Sequence, residues 1–249
     1  MTPEIKSLQG RVILVTGAGQ GLGRATALAC ARAGATVILL GKTSAKLEAV
    51  YDAIIAAGGA LPAIFPMDLD ASADHDFEIM AQAIAGQLAR LDGIVHCASA
   101  FEPPSPLAIQ SVAAWQEQMQ VNCIAPFAIN KHCERLLKSS PDASVILIGE
   151  SHGHAPAAYW GGLAASKAAL EAYFKVQAAE WSDLPRLRIN LVIPGPIATP
   201  QRARTHPGED RSLLPTPETL AEDLLRLLGP DSRDIRGQLI LWKEPGATL

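Results

Sequence analysis

Short runs rich in Val, Ile and Leu recur along this chain, each separated from the next by enough sequence for one helix. Parallel strands need long crossovers, so this alternation is the pattern of parallel βαβ units. Strands are expected at 12–16, 36–40, 61–66, 93–97, 144–148, 188–193 and 238–242. Helices are expected at 21–33, 44–57, 74–91, 111–138, 160–181 and 217–228. Several strand runs show no polar alternation, as expected where helices cover both sheet faces. No internal repeat or low-complexity linker divides the 249 residues. One domain, 1–249, is expected: α/β, a doubly wound parallel sheet of about seven strands flanked by helices.

The bulk properties exclude several classes. The chain is 49% hydrophobic with a net charge of −4, which allows a sizeable core and offers no basic stripe for nucleic acid. No apolar run approaches the roughly 20 residues that span a bilayer, and residues 1–6 lack the regions of a signal peptide. Cys30, Cys97, Cys123 and Cys133 show no CxxC or metal-finger spacing. They read as reduced core thiols of a cytoplasmic protein, and no metal site is expected. Two loops follow strand ends where open α/β sheets bind ligands, 100–106 and 194–215. The second, polar and proline-punctuated, is the expected substrate loop.

The first strand run leads into Thr16-Gly17-Ala18-Gly19-Gln20-Gly21-Leu22-Gly23, at the start of a helical stretch. Gly17, Gly21 and Gly23 let the backbone turn tightly and approach a pyrophosphate, whose charge favours the helix N-terminus. The second strand ends at Gly41, where an NAD-specific site would place an acid for the ribose 2′-hydroxyl. Lys42 follows, with Thr43 and Ser44 beside it. Without the acid, a 2′-phosphate meets no repulsion and finds a cation. NADP(H) is therefore the preferred cofactor, with NAD(H) as the alternative. The plainer reading makes Lys42 a solvated charge beside a helix N-cap.

Together with Leu163-Ala164-Ala165-Ser166-Lys167, this turn resembles the short-chain dehydrogenase/reductase family, whose signatures are TGxxxGxG and YxxxK. The resemblance runs nearly the whole chain and implies a single Rossmann-type domain. It implies that Gln20 and Leu22 join the glycines at the cofactor, and that Asp68 and Leu69 hold the adenine edge. It also implies that Pro194, Gly195, Ile197 and Thr199 line the nicotinamide. His96-Cys97-Ala98-Ser99 stands where the family has Asn-Asn-Ala-Gly, leaving Ala98 as a backbone contact to ribose. Asn122 and Lys167 match the family's asparagine and lysine, the lysine binding ribose hydroxyls. Leu163 stands at the tyrosine position and Glu150 at that of the carbonyl-binding serine.

Leucine cannot donate a proton, so general acid catalysis of roughly 10²–10⁴-fold must be lost or supplied otherwise. A lost hydrogen bond to the carbonyl oxygen costs roughly another 10²–10³-fold. Glu150 is expected to reach into the space left by the tyrosine and pair with Lys167. Unpaired in an apolar pocket, it would instead act as the acid itself. Ser151 is expected to point away, since adjacent strand residues face opposite sides. Tyr159, roughly 12 Å along a helix from Lys167, is expected to line the substrate pocket rather than replace the phenol. His152 and His154 are loop residues able to relay protons near neutral pH, a reading preferred to metal binding.

Three functions remain. The first is an NADP(H)-dependent oxidoreductase acting on a carbonyl or activated double bond with a non-standard proton source. The others are a catalytically silent NADP(H) sensor or regulatory subunit, and a structural subunit. The retained Lys167, Asn122 and glycine turn argue against the last. A small-molecule substrate is expected if the chain is active, with neither nucleic acid nor membrane as partner. The resemblance also implies a homodimer or homotetramer built through the helices at 111–138 and 160–181, whose alanines permit close approach.

Overall fold

The computed structural model describes residues 7–243. The segment 1–6, where signal-peptide features were sought, lies outside the described residues. In chain order, β1 (Val12–Thr16), α1 (Gly21–Arg32), β2 (Thr36–Gly41), α2 (Ser44–Ala56), β3 (Ala63–Pro66) and α3 (Asp74–Leu88) form the first half. The second half comprises β4 (Gly93–His96), α4 (Val112–Met119), α5 (Ala125–Ser139), β5 (Ala143–Ile148), α6 (Ser151–His154) and α7 (Gly161–Glu180). It continues through β6 (Leu187–Ile193), α8 (Pro200–Thr205), α9 (Pro217–Leu228) and β7 (Leu239–Leu241).

The seven strands form one parallel sheet in the order β3-β2-β1-β4-β5-β6-β7. Strand order reverses between β1 and β4, the switch point where such sheets open a crevice at their carboxyl ends. The central strands β1, β4 and β5 are buried throughout, which accounts for their unbroken apolar runs. One core layer packs α3, α5 and α7 on one face, through Phe77, Ile129 and Leu170. The other packs α1, α2 and α9, through Ala27, Leu47 and Leu224. No helix among the described residues is long and apolar enough to cross a membrane.

The expected elements form, with instructive differences. The helix expected to reach residue 91 ends at Leu88, because Ala89 turns left-handed at φ 57°. That release carries Asp92 beneath β1, where its carboxylate accepts from the Val12 amide at 2.8 Å and from Arg90 and Ser140. The single helix expected over 111–138 is broken. Between α4 and α5, Gln120–Ile124 forms a π turn in which the Ala125 amide reaches Gln120 O, five residues back. Pro126 explains the break. It has no amide proton, so the Asn122 carbonyl loses its ordinary helical donor. Short helices α6 and α8, both expected as loop, follow β5 and β6.

Candidate active site

A cleft of about 570 Å³ opens at the carboxyl ends of β1, β2, β4, β5 and β6, over the switch point. Every cofactor residue expected from the sequence lines it: Gly17, Gln20, Gly21, Leu22, Gly23, Lys42, Thr43, Asp68, Leu69, Ala98, Lys167, Pro194, Gly195, Ile197 and Thr199. At the glycine turn, bulk is excluded by the fold itself. A Cβ on Gly17, which sits at φ 65°, would lie 2.9 Å from the Ala98 backbone, and one on Gly23 would lie 2.2 Å from Gly17 O. The turn is thus pressed onto β4, and the start of α1 faces the cleft with no side chain in between. The Ala98 amide is fixed there by Thr16 Oγ1 at 3.1 Å.

At the end of β2, Gly41 leaves the wall without an acid, and two lysines flank it. Lys42 was legible in the sequence. Lys46, in the first turn of α2, was missed. Its ammonium donates to Gln20 Oε1 at 2.6 Å and lines the cleft. Across from them, Asp68 turns its carboxylate to the Asp70 amide at 3.2 Å, which leaves Leu69 against the opening. These features fit a dinucleotide that carries a 2′-phosphate. The backbone cradle suits a pyrophosphate, and the cations stand where an acid would discriminate against the extra phosphate.

The reactive end is built around Lys167. It is 5% exposed, and its ammonium donates to Ile148 O at 2.8 Å. Helix α6 sits directly on it, an approach only glycine allows, since a Cβ on Gly153 would lie 2.5 Å from Lys167 Cβ. Burial lowers the lysine's pKa from its ordinary 10.5 to about 8, against the opposing pull of Glu150. Asn122, fully buried in the π turn, clasps the Ala100 backbone, accepting from its amide at 2.9 Å and donating to its carbonyl at 2.8 Å. The same amide donates to Ser166 Oγ at 2.9 Å, which ties the loop after β4 to the residue beside Lys167.

Three expectations need correction. Glu150 does not pair with Lys167. Its Oε1 accepts from the Ser151 hydroxyl at 2.8 Å and lies 3.3 Å from His152 Nδ1. The reason is the helical turn α6, which folds Ser151 and His152 back onto the carboxylate. Ser151 does not point away, because strand alternation ends at Ile148. Both Glu150 and Ser151 line the cleft. Tyr159 does not line it. At φ 75° and 59% exposed, it stands outside, with its carbonyl held by the Ser105 amide at 3.0 Å. Leu163, at the family's tyrosine position, is 2% exposed and packed into the fold. His152 and His154 diverge, the latter lying 2.9 Å from Glu171 on α7.

The cleft also gathers residues not singled out in the sequence: Phe101, Val121, Trp160 and Arg204. Trp160 stacks on His152 at 3.8 Å and 10°, and its ring lies 5.6 Å from His206. The Arg204 guanidinium sits 4.6 Å over the Phe101 ring. The cysteines are free, and burial pushes the Cys97 thiol, at the cleft wall, up to about 12.

The family model for short chain dehydrogenases matches residues 11–210. The oxidoreductase YciK of Escherichia coli is 39% identical over 231 residues, covering 93% of this chain and 91% of that protein. A short chain dehydrogenase from Escherichia coli, solved with NADPH, is 39% identical at a TM-score of 0.92, over 96% of this chain and 98% of that one. Another from Shigella flexneri, solved with NADP, is 38% identical at a TM-score of 0.92, over 95% and 98% of the two chains.

Proposed function

Since this chain belongs to the short-chain dehydrogenase/reductase family, we propose that it is an NADP(H)-dependent oxidoreductase whose proton does not come from a phenol. The observation that carries this reading is the cleft itself. It keeps a complete dinucleotide cradle with two lysines at the end of β2, while a buried leucine replaces the tyrosine. Relatives solved with NADP and NADPH support the choice of cofactor.

In this reading, the glycine turn and the start of α1 hold the pyrophosphate, and Lys42 with Lys46 takes the 2′-phosphate. Asp68 and Leu69 border the adenine, while Pro194, Gly195, Ile197 and Thr199 wall the nicotinamide. The Lys167 ammonium binds ribose hydroxyls, and Asn122 fixes the backbone around it. When bound, NADPH supplies a hydride. Ser151 and Glu150 are the polar groups at the mouth of β5, each already engaged with the other. With no phenol to meet a developing alkoxide, reduction of a double bond conjugated to a carbonyl suits the site better than reduction of the carbonyl. The enolate so formed can take its proton from water.

The test is NADPH consumption with cyclohex-2-enone and with cyclohexanone. The enone is expected to react at least about tenfold faster, as the loss of general acid catalysis falls more heavily on the ketone, which must form a localised alkoxide rather than an enolate. Equal rates would overturn the double-bond assignment. Binding of NADPH with no consumption on either would favour the silent sensor, a reading supported by the engagement of Glu150 with Ser151 and His152.

We further propose a homodimer or homotetramer formed through helices 111–138 and 160–181. Ile124, Phe127 and Val176 are 43%, 47% and 58% exposed there.

A further inference from the structure

Runs of contacts border the reactive end of the cleft. From Lys167 one passes through Ser166 and Asn122 to Ala100 and Phe101. Arg204 on α8 lies over Phe101, and a separate run joins His206, Trp160, His152 and Glu150. Phe101, Val121 and Trp160 give this space flat apolar walls. Its charges are unequal in their freedom. Glu150 is engaged by Ser151 and His152, and Arg202 is held in a two-point bond by Glu209 at 2.5 and 2.7 Å. Arg204 has no carboxylate partner among the described residues. Its guanidinium lies over an aromatic face, which fixes the plane and leaves the N–H edge for a ligand. Glu117 enters from α4 and Glu150 from the end of β5, so an anionic group in this space is steered to α8.

We propose that the α8 end of the cleft takes an unsaturated carboxylate, with its carboxylate bound in a two-point hydrogen bond by Arg204 and its flat body against Phe101, Val121 and Trp160. This deepens, and rests on, the reading of the cleft as a cofactor and substrate site. A planar guanidinium matches a carboxylate fork in a way an ammonium does not. A carboxylate conjugated through a double bond to an aromatic ring is the ligand form that meets both the cation and the apolar walls.

The probe is trans-cinnamate, with the neutral cinnamamide as its shape control, titrated by calorimetry into the NADP⁺-loaded protein. NADPH binding is measured in parallel on the wild type and on Arg204→Gln. Cinnamate is expected to bind about tenfold or more tightly than cinnamamide, reflecting a hydrogen-bonded charge pair. Arg204→Gln is expected to remove that preference and leave NADPH affinity within about twofold of wild type. Arg204→Lys, which keeps the charge without the fork, should retain only part of the preference. Equal binding of the two probes overturns the proposal. So does a loss of NADPH affinity in Arg204→Gln as large as the loss for cinnamate, since Arg204 would then serve the cofactor. Failure of the wild type to bind NADPH strikes the cofactor reading instead, and the same two titrations on the unloaded protein then decide the carboxylate site.

Discussion

A lysine taken out of water holds its proton less firmly, because burial penalises the charged form. Lys167 is such a residue, 5% exposed and shifted to about 8, with Glu150, Cys97 and Cys123 opposing the shift. The consequences for folding and for binding have opposite signs. Between about 8 and its ordinary 10.5, the unfolded chain binds the proton that the folded one has lost, so stability rises with pH across that window. If the Lys167 ammonium binds the cofactor ribose as proposed, NADPH affinity is expected to fall as pH rises through about 8, by up to about tenfold per unit. Dissociation constants measured from pH 7 to 9.5 should show this fall in the wild type and a flat profile in Lys167→Met. A flat wild-type profile would deny Lys167 its role. The glycine turn was legible because backbone geometry demands glycine at Gly17 and Gly23, and an absence of side chain is visible in sequence. The partner of Glu150 was not. It depends on the helical turn α6, which counting along β5 could not foresee.

Elements show the same division. Strand runs buried on both faces are recognisable from composition, and all seven strands form where runs were read, the partly exposed β3 and β7 included. The break within 111–138 could have been anticipated from Pro126, but its consequence is tertiary. The π turn sets Asn122 across to Ala100 and Ser166. Helices α8 and α6 were hidden in stretches punctuated by proline, glycine and histidine. Helices α5 and α7 carry Phe127 and Val176 outward, and Phe127 meets Tyr173 edge-on at 5.9 Å. If these faces pair with a second copy, sedimentation of the wild type at micromolar concentration should give a dimer or tetramer. Phe127→Glu combined with Val176→Glu should give a folded monomer. A monomeric wild type would contradict that assignment.

Across the whole molecule, the two ends of the sheet do different things. At the amino ends, Asp142 before β5 binds Arg11 at 2.8 Å and Arg188 on β6 at 2.5 Å, and Arg188 also donates to Gly229 O at 2.7 Å. Burial raises the Asp142 pKa, but the two guanidiniums outweigh it and hold the carboxyl below its ordinary value. Removing one member of such a buried set costs roughly 3–5 kcal/mol. This end fastens the strands together. At the carboxyl ends the polar groups are left for a ligand, with lysines at one extreme of the cleft, an arginine at the other and glycine backbone between them. On this reading, the carboxyl end holds NADP(H) although the family's tyrosine is gone. Cofactor binding is tested most directly by titrating the purified protein with NADPH and, separately, NADH, following nicotinamide fluorescence. Saturable binding is expected, with NADPH preferred by about tenfold or more, as for a charged pair on the 2′-phosphate, and with that preference lost in Lys42→Ala with Lys46→Ala. Binding of neither cofactor would contradict this reading.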